Sequence, residues 1–198
     1  MILQARQGRI PGDHYLETTP ETCHWGWLPN RASQPVLSVG DGAVVTIDTL
    51  SHEGILEDQG RDPVAYLAGF GVKPDDVLAD SRLLAASEIT HDFDDGPHVV
   101  TGPIAIAGAE PGDLLRVDVL DLALRAPYGF ISLMGVAPDT AEPVPSVPPG
   151  QHGGNLDVNE LQVGSSLYLP VQTAGAVFYA GDPHSSAGWP STPVMRPG

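Results

Sequence analysis

The chain has 198 residues, a length that suits one large β domain or two small ones. Only 17% of them are charged, while Gly (23) and Pro (20) are abundant, a composition that favours short strands and many turns over long helices. A net charge of −16, with Lys73 the only lysine, argues against nucleic acid and anionic membranes as partners and suits neutral or cationic ligands.

The first residues, M-I-L-Q-A-R-Q-G-R-I-P-G-D, hold no long apolar run, so no secretion signal is expected. No apolar stretch reaches the length of a membrane span, and a cytoplasmic protein is the expectation. Residues 14–31 mix aromatics with His24, which beside Trp25 reads as packing. Cys23 is alone, which rules out an internal disulfide, and reads as a buried small hydrophobe. Residues 35–39 and 43–50 predict two strands joined by Gly40-Asp41-Gly42, because V-V-T-I-D-T-L alternates with the period of a half-buried strand. Residues 51–62, S-H-E-G-I-L-E-D-Q-G-R-D, read as an exposed loop.

Asp62-Pro63 then supplies an N-cap and a first-turn proline for a short helix over V-A-Y-L-A-G-F. A second helix is expected from Pro74 through Ile89, with Val77, Leu78, Leu84, Ala85 and Ile89 on one face. The loop H-D-F-D-D-G-P-H at 91–98 is dense in polar groups; His91 reads as solvated, while His98, just before a strand, is a candidate for substrate contact. Residues 99–107 predict a strand broken at Gly102-Pro103. After the turn at 108–113, residues 114–122 alternate so imperfectly that either face fits the core. Residues 125–150 carry six prolines and deliver the chain to His152, which favours a functional loop.

Residues 151–160, Q-H-G-G-N-L-D-V-N-E, are the most concentrated chemistry in the chain. Polar groups at this density are costly to bury unless they are paired or bind something. Gly181-Asp182-Pro183-His184 adds a second carboxylate–imidazole pair. His152, Asp157, Asp182 and His184 are chemically apt as ligands of a zinc-type divalent metal. Asn155 suits a substrate oxygen or the orientation of a ligand, and the Gly153 and Gly154 N–H groups suit an oxyanion. The bland alternatives are Asx turns at Asn155 and Asp157, a turn start at Asp182 and an exposed His184. Serine-hydrolase chemistry fits less well: no G-x-S-x-G elbow is present, and Lys73 sits alone in a polar turn. A cupin-like metal protein would need a clustered H-x-H with a following acid, which the chain lacks.

Taken together, H-W-G-W at 24–27, G-P-H-V-V-T-G-P-I at 96–104, G-A-E-P-G-D at 108–113, M-G-V-A-P at 134–138, H-G-G-N-L-D at 152–157, L-Y-L-P-V at 167–171 and G-D-P-H at 181–184 resemble the acetamidase/formamidase family. H-G-G-N-L-D followed by L-Y-L-P-V and then G-D-P-H is the specific part. The resemblance implies a mainly β fold, hydrolysis of short linear amides to ammonia and a carboxylate, and a divalent metal. In the family, a further β and helical portion with acidic residues follows G-D-x-H, whereas here residues 185–198 are proline-rich and hold no Asp or Glu.

The expectation is therefore a jelly-roll-like β-sandwich with a short helical insertion. It is one domain over 1–184, incomplete at its C-terminal end, with a disordered tail at 185–198. The catalytic candidates are His152, Asn155 and Asp157, and the substrate-binding ones Gly153, Gly154 and His98. His152, Asp157, Asp182 and His184 are the metal ligands. The expected partner is a small amide. Exposed apolar edges invite self-association, so a homo-oligomer is expected. The rival reading is a non-catalytic module that binds a small molecule or metal in the same pocket.

Overall fold

The structure, a computed structural model, describes residues 2–126, 133–158 and 160–182. Its elements are overwhelmingly strands. In chain order they are β1 (His14–Leu16), β2 (Cys23–Trp25), β3 (Trp27–Leu28), β4 (Leu37–Val39), β5 (Val45–Ile47), α1 (Pro63–Ala68), α2 (Ala79–Ala85), β6 (Val99–Ile106), β7 (Leu114–Asp118), β8 (Leu133–Val136), β9 (Val144–Pro145), β10 (Gly153–Gly154), β11 (Ser166–Pro170) and β12 (Phe178–Gly181). The mainly β expectation holds, and the helical insertion lies between β5 and β6.

The central sheet runs β10-β8-β12-β6-β2, with β4 also paired to β6. β6 is its axis. The strand is not broken at Gly102-Pro103 but passes through both residues. Its neighbour changes there: β2 pairs antiparallel along Val99–Thr101, and β4 pairs parallel along Ile104–Ile106. A proline has no N–H to give a ladder, and Pro103 sits where one partner has ended and the next begins.

One face of this sheet packs against the β1–β5 and β7–β11 ladders. Val39, Ile104, Val136, Phe178 and Ala180 from the sheet meet Leu16 and Leu169 from the ladders. The ambiguity over 114–122 is resolved here. Leu115 and Val117 pack on the core, while Leu114, Arg116 and Asp118 face outward. On the opposite face of the sheet, Val100, Leu133 and Tyr179 pack with Leu28.

The helical insertion covers a third cluster, with Trp25, Leu50, Ile55, Leu78, Leu84 and Val99 at its centre. Asp62 caps α1 as expected, its side chain accepting from the Val64 and Ala65 N–H groups at 3.0 Å. The second helix is shorter than predicted. Pro74–Asp76 form only a 3-10 turn, Val77 and Leu78 are extended, and α2 begins at Ala79. Both extended residues are buried, so tertiary packing overrides the helical spacing there.

Candidate active site

The fold places two imidazoles of distant origin against one buried carboxylate and a third polar side chain behind one of them. Asp182 follows β12 directly and is completely buried. His52 presents Nδ1 to its Oδ1 at 3.4 Å, and His98 presents Nε2 to its Oδ2 at 3.7 Å. The two imidazoles stand edge to face, with ring centroids 5.6 Å apart. These are ion-pair separations rather than aligned hydrogen bonds: among the described residues both Asp182 oxygens and His52 Nδ1 have no hydrogen-bond partner. The third side chain, Ser146, fills the far side of His98, its Oγ 2.9 Å from Nδ1.

Local structure explains why these groups meet. His98 precedes the first residue of β6, and Gly181 stands opposite Val100, so the end of β12 and the start of β6 coincide. His52 is held from both sides, because Leu50 and Ile55 are fully buried in the Trp25 cluster. Gly54 completes that turn with φ +87°, and a Cβ there would lie 2.7 Å from Pro63 Cα. Asp182 itself adopts φ +44°, a strained backbone for a residue with a side chain and one that Asp tolerates better than most.

The two imidazoles are pushed in opposite directions. Burial works to lower the pKa of His52, but the facing Asp182 carboxylate, helped by the charges of Glu53 and Asp58, outweighs it and holds His52 above the ordinary value. For His98 burial wins over the attraction of Asp182, and the value falls. Such divergence around a shared carboxylate is the arrangement that lets one group hold a proton while another stays neutral at the same pH.

The glycine-rich loop reaches the same end of the sheet. Gly154 and Ala180 both stand opposite Met134, so β10 and β12 run in the same direction on either side of β8. The chain therefore leaves β10 toward Asn155 and Asp157 where it leaves β12 toward Asp182, two strand spacings or about 10 Å away. Asp157 is exposed, has φ +49°, and its charge acts on His98. His152 is half-buried; burial lowers its pKa, and its Nε2 has no partner among the described residues. Asn155 Oδ1 is likewise buried and unpartnered. Gly153 and Gly154 are buried with φ +87° and +90°. The Gly153 N–H donates to the Gly150 carbonyl at 3.0 Å and so is not free for an oxyanion.

Of the residues singled out from sequence, His98 and Asp182 are thus brought into contact, with Asp157 close enough to act on His98 by its charge. His184 and residues 185–198 lie outside the described residues. Among the described residues no group of three or more His, Cys, Asp and Glu side chains is arranged to hold a metal ion. The expected quartet of ligands stands as a proposal.

His52 is not among the sequence candidates: a polar segment with two glycines reads as solvent-exposed, and Ile55-Leu56 in its midst is the signal of an anchor. His91 also departs from the solvated reading. It is buried, stacks on Trp25 at 4.2 Å, and meets Glu57 and the Gly96 carbonyl, each at 2.9 Å. Its role is to tie the loop at 91–98 to the turn at Glu57–Gln59.

Residues 135–189, the segment that carries H-G-G-N-L-D, L-Y-L-P-V and G-D-P-H, match the Acetamidase/Formamidase family. The family resemblance holds. The fold agrees with it over most of the chain. An acetamidase from Bacillus halodurans superposes with a TM-score of 0.57 at 20% identity, over 85% of this chain and 61% of that one. An acetamidase from Yersinia enterocolitica gives 0.58 at 20% identity, over 88% and 61%. A gamma lactamase from Delftia acidovorans gives 0.58 at 19% identity, over 86% and 61%. The acetamidase/formamidase-like chain thus spans about three fifths of the length of each of these structures. No curated protein matches its sequence.

Proposed function

We propose that this chain hydrolyses short linear amides of the formamide and acetamide type, releasing ammonia. The observation that carries the reading is Asp182: a carboxylate with no exposed surface and, among the described residues, no hydrogen-bond donor on either oxygen, placed between two imidazoles of divergent acidity. A structural carboxylate in the core is normally satisfied by donors, and exceptions of this kind point to function.

Amide hydrolysis needs a base for water, an acid for the leaving amine, and groups that orient the substrate. His152 suits the base: burial favours its neutral form, and Nε2 is unpartnered among the described residues. His52 suits the acid, since Asp182 favours its protonated form. Asn155 Oδ1 is an acceptor without a donor among the described residues, matched to an amide N–H of the substrate. The completed cycle consumes one water, breaks the C–N bond, and leaves a carboxylate and ammonia.

The resemblance also implies a divalent metal, zinc in our reading, held by His152, Asp157, Asp182 and His184. Bound, such an ion would polarise the carbonyl or activate water. The proton steps above run through side chains alone. A cytoplasmic setting and self-association belong to the same proposal. The exposed leucines at 120, 122 and 124 support the self-association.

Ammonia release from formamide and acetamide, with and without added Zn²⁺, tests the reading, with Asp182→Asn as the control. Release by the parent chain that collapses in the variant supports it. Amide binding without release, in the presence of zinc, would replace it with the binding-module reading.

A further inference from the structure

Ser146 lies in the proline-rich connection and was not among the candidates from sequence. It is completely buried. Its Oγ stands 2.9 Å from His98 Nδ1 and has no other hydrogen-bond partner among the described residues. The seat of this hydroxyl is built by three segments. The Gly26 N–H donates to the His98 carbonyl at 2.9 Å, and the Gly26 carbonyl accepts the Ser146 N–H at 3.0 Å. One residue of the β2–β3 turn thus fixes the backbones of both partners. The pairing of β3 with β9, Leu28 opposite Val144 and Trp27 opposite Pro145, brings Ser146 there. Gly96 leaves the room: a Cβ on it would collide with Ser146 Oγ and lie 2.8 Å from the Gly26 carbonyl.

We propose that Ser146 is the positioning residue of this site, its hydroxyl donating to His98 Nδ1 and so presenting the ring's Nε2–H to Asp182. The role rests on the reading of His98 and Asp182 as part of an amide-hydrolysing centre. A buried hydroxyl has one hydrogen to place, and Nδ1 is the acceptor within reach. A neutral imidazole that accepts at Nδ1 carries its hydrogen on Nε2. That hydrogen faces Asp182 Oδ2, 3.7 Å away, which has no hydrogen-bond partner among the described residues. The opposite tautomer would turn a lone pair toward the carboxylate and leave the Ser146 hydrogen without an acceptor.

The order Ser146–His98–Asp182 resembles a nucleophilic triad. Full burial argues against that use, because a nucleophile must meet its substrate. The hydroxyl sets the ring, the ring sets the carboxylate, and Asp182 in turn faces His52.

Nitrogen-15 NMR of the histidine ring nitrogens of the full chain, above the His98 transition and assigned with His98→Gln, reads the tautomer directly. The parent is expected to show His98 with Nδ1 as acceptor and Nε2 protonated. Ser146→Ala is expected to collapse this into the averaged pattern of a ring that exchanges tautomers. Ammonia release by that variant should fall by about 10- to 100-fold in kcat with little change in KM. A parent in the Nδ1–H form, or a variant with an unchanged spectrum, would overturn the proposal. If Ser146→Ala does not fold, the parent spectrum alone decides. A parent with the fixed tautomer but no ammonia release would sink the hydrolytic reading and leave the positioning role of Ser146 standing.

Discussion

His52 Nδ1 and Asp182 Oδ1 stand 3.4 Å apart, in contact across most of the length of the chain. The pair carries a prediction about charge. Without the carboxylate, burial would be opposed only by the charges of Glu53 and Asp58, so Asp182→Asn should lower the pKa of His52. Ammonia release should fall by about 10²- to 10⁴-fold, the usual worth of a general acid. An NMR titration of His52 checks the first point. An unmoved midpoint would remove Asp182 from the proposed chemistry.

The pH profile follows from two opposed shifts. His52 must be protonated and His152 neutral for the proposed steps. The raised value of His52 sets the alkaline limb above 6.5, and the lowered value of His152 sets the acid limb below it. A bell-shaped kcat/KM with its plateau around 6.5 is expected. The linkage sign for stability is separate. A raised folded-state pKa at His52 contributes stability that is complete below the unfolded value and is lost as the pH rises through the folded one. Denaturant midpoints measured through that range should therefore decline on the alkaline side in the parent, and less in His52→Gln.

Tyr179 lies directly opposite Gly135 on the neighbouring strand, and its ring covers the place a side chain would take. A Cβ at Gly135 would collide with the Tyr179 hydroxyl and lie 2.6 Å from Tyr179 Cζ and from the His152 carbonyl. Gly135→Ala should destabilise the fold by about 3 kcal/mol, the upper part of the range for overpacking a close-packed core. Gly40→Ala is the control: nothing lies within 4 Å of a Cβ there. It should be neutral or slightly stabilising by thermal melt. Equal melting temperatures for the two variants would contradict the packing described.

Leu120, Leu122 and Leu124 are 62%, 60% and 59% exposed, and Leu114 on the outer face of β7 is 62% exposed. Exposed leucines repeated at every second position offer apolar surface that a second surface can cover. Sedimentation should show a concentration-dependent oligomer, shifted toward monomer by Leu120→Ser combined with Leu122→Ser. A parent that stays monomeric at high concentration would refute self-association through this row.

Much of the fold was legible because its signals are local. Val-Val-Thr-Ile announced β5 by alternation and β-branching, Asp62-Pro63 announced α1 by capping, and the turn at 108–113 separated β6 from β7. The polar density of 91–98 and 151–160 marked the loops that border the site, and the motifs within them carried the resemblance to the acetamidase/formamidase family. α2 starts later than helical spacing suggests because Val77 and Leu78 are buried in extended form, Leu78 in the Trp25 cluster, and the spacing carries no record of that burial. His91 and His52 were read as solvated because each lies among charged neighbours. Their burial comes from Trp25 in one case and from Leu50 and Ile55 in the other.

The sequence by itself determined that this is a strand-built chain, which of its loops are rich in chemistry, and which family it resembles. Periodicity, caps and glycine-marked turns act over a few residues and can be read without knowing the rest. The tertiary structure alone decided that His52, His98, Ser146 and Asp182 share one place. Their meeting depends on β6 starting where β12 ends, on Gly26 joining two backbones, and on an apolar cluster holding the loop of His52. Each of these is a contact between segments far apart in the chain, and no local pattern encodes it.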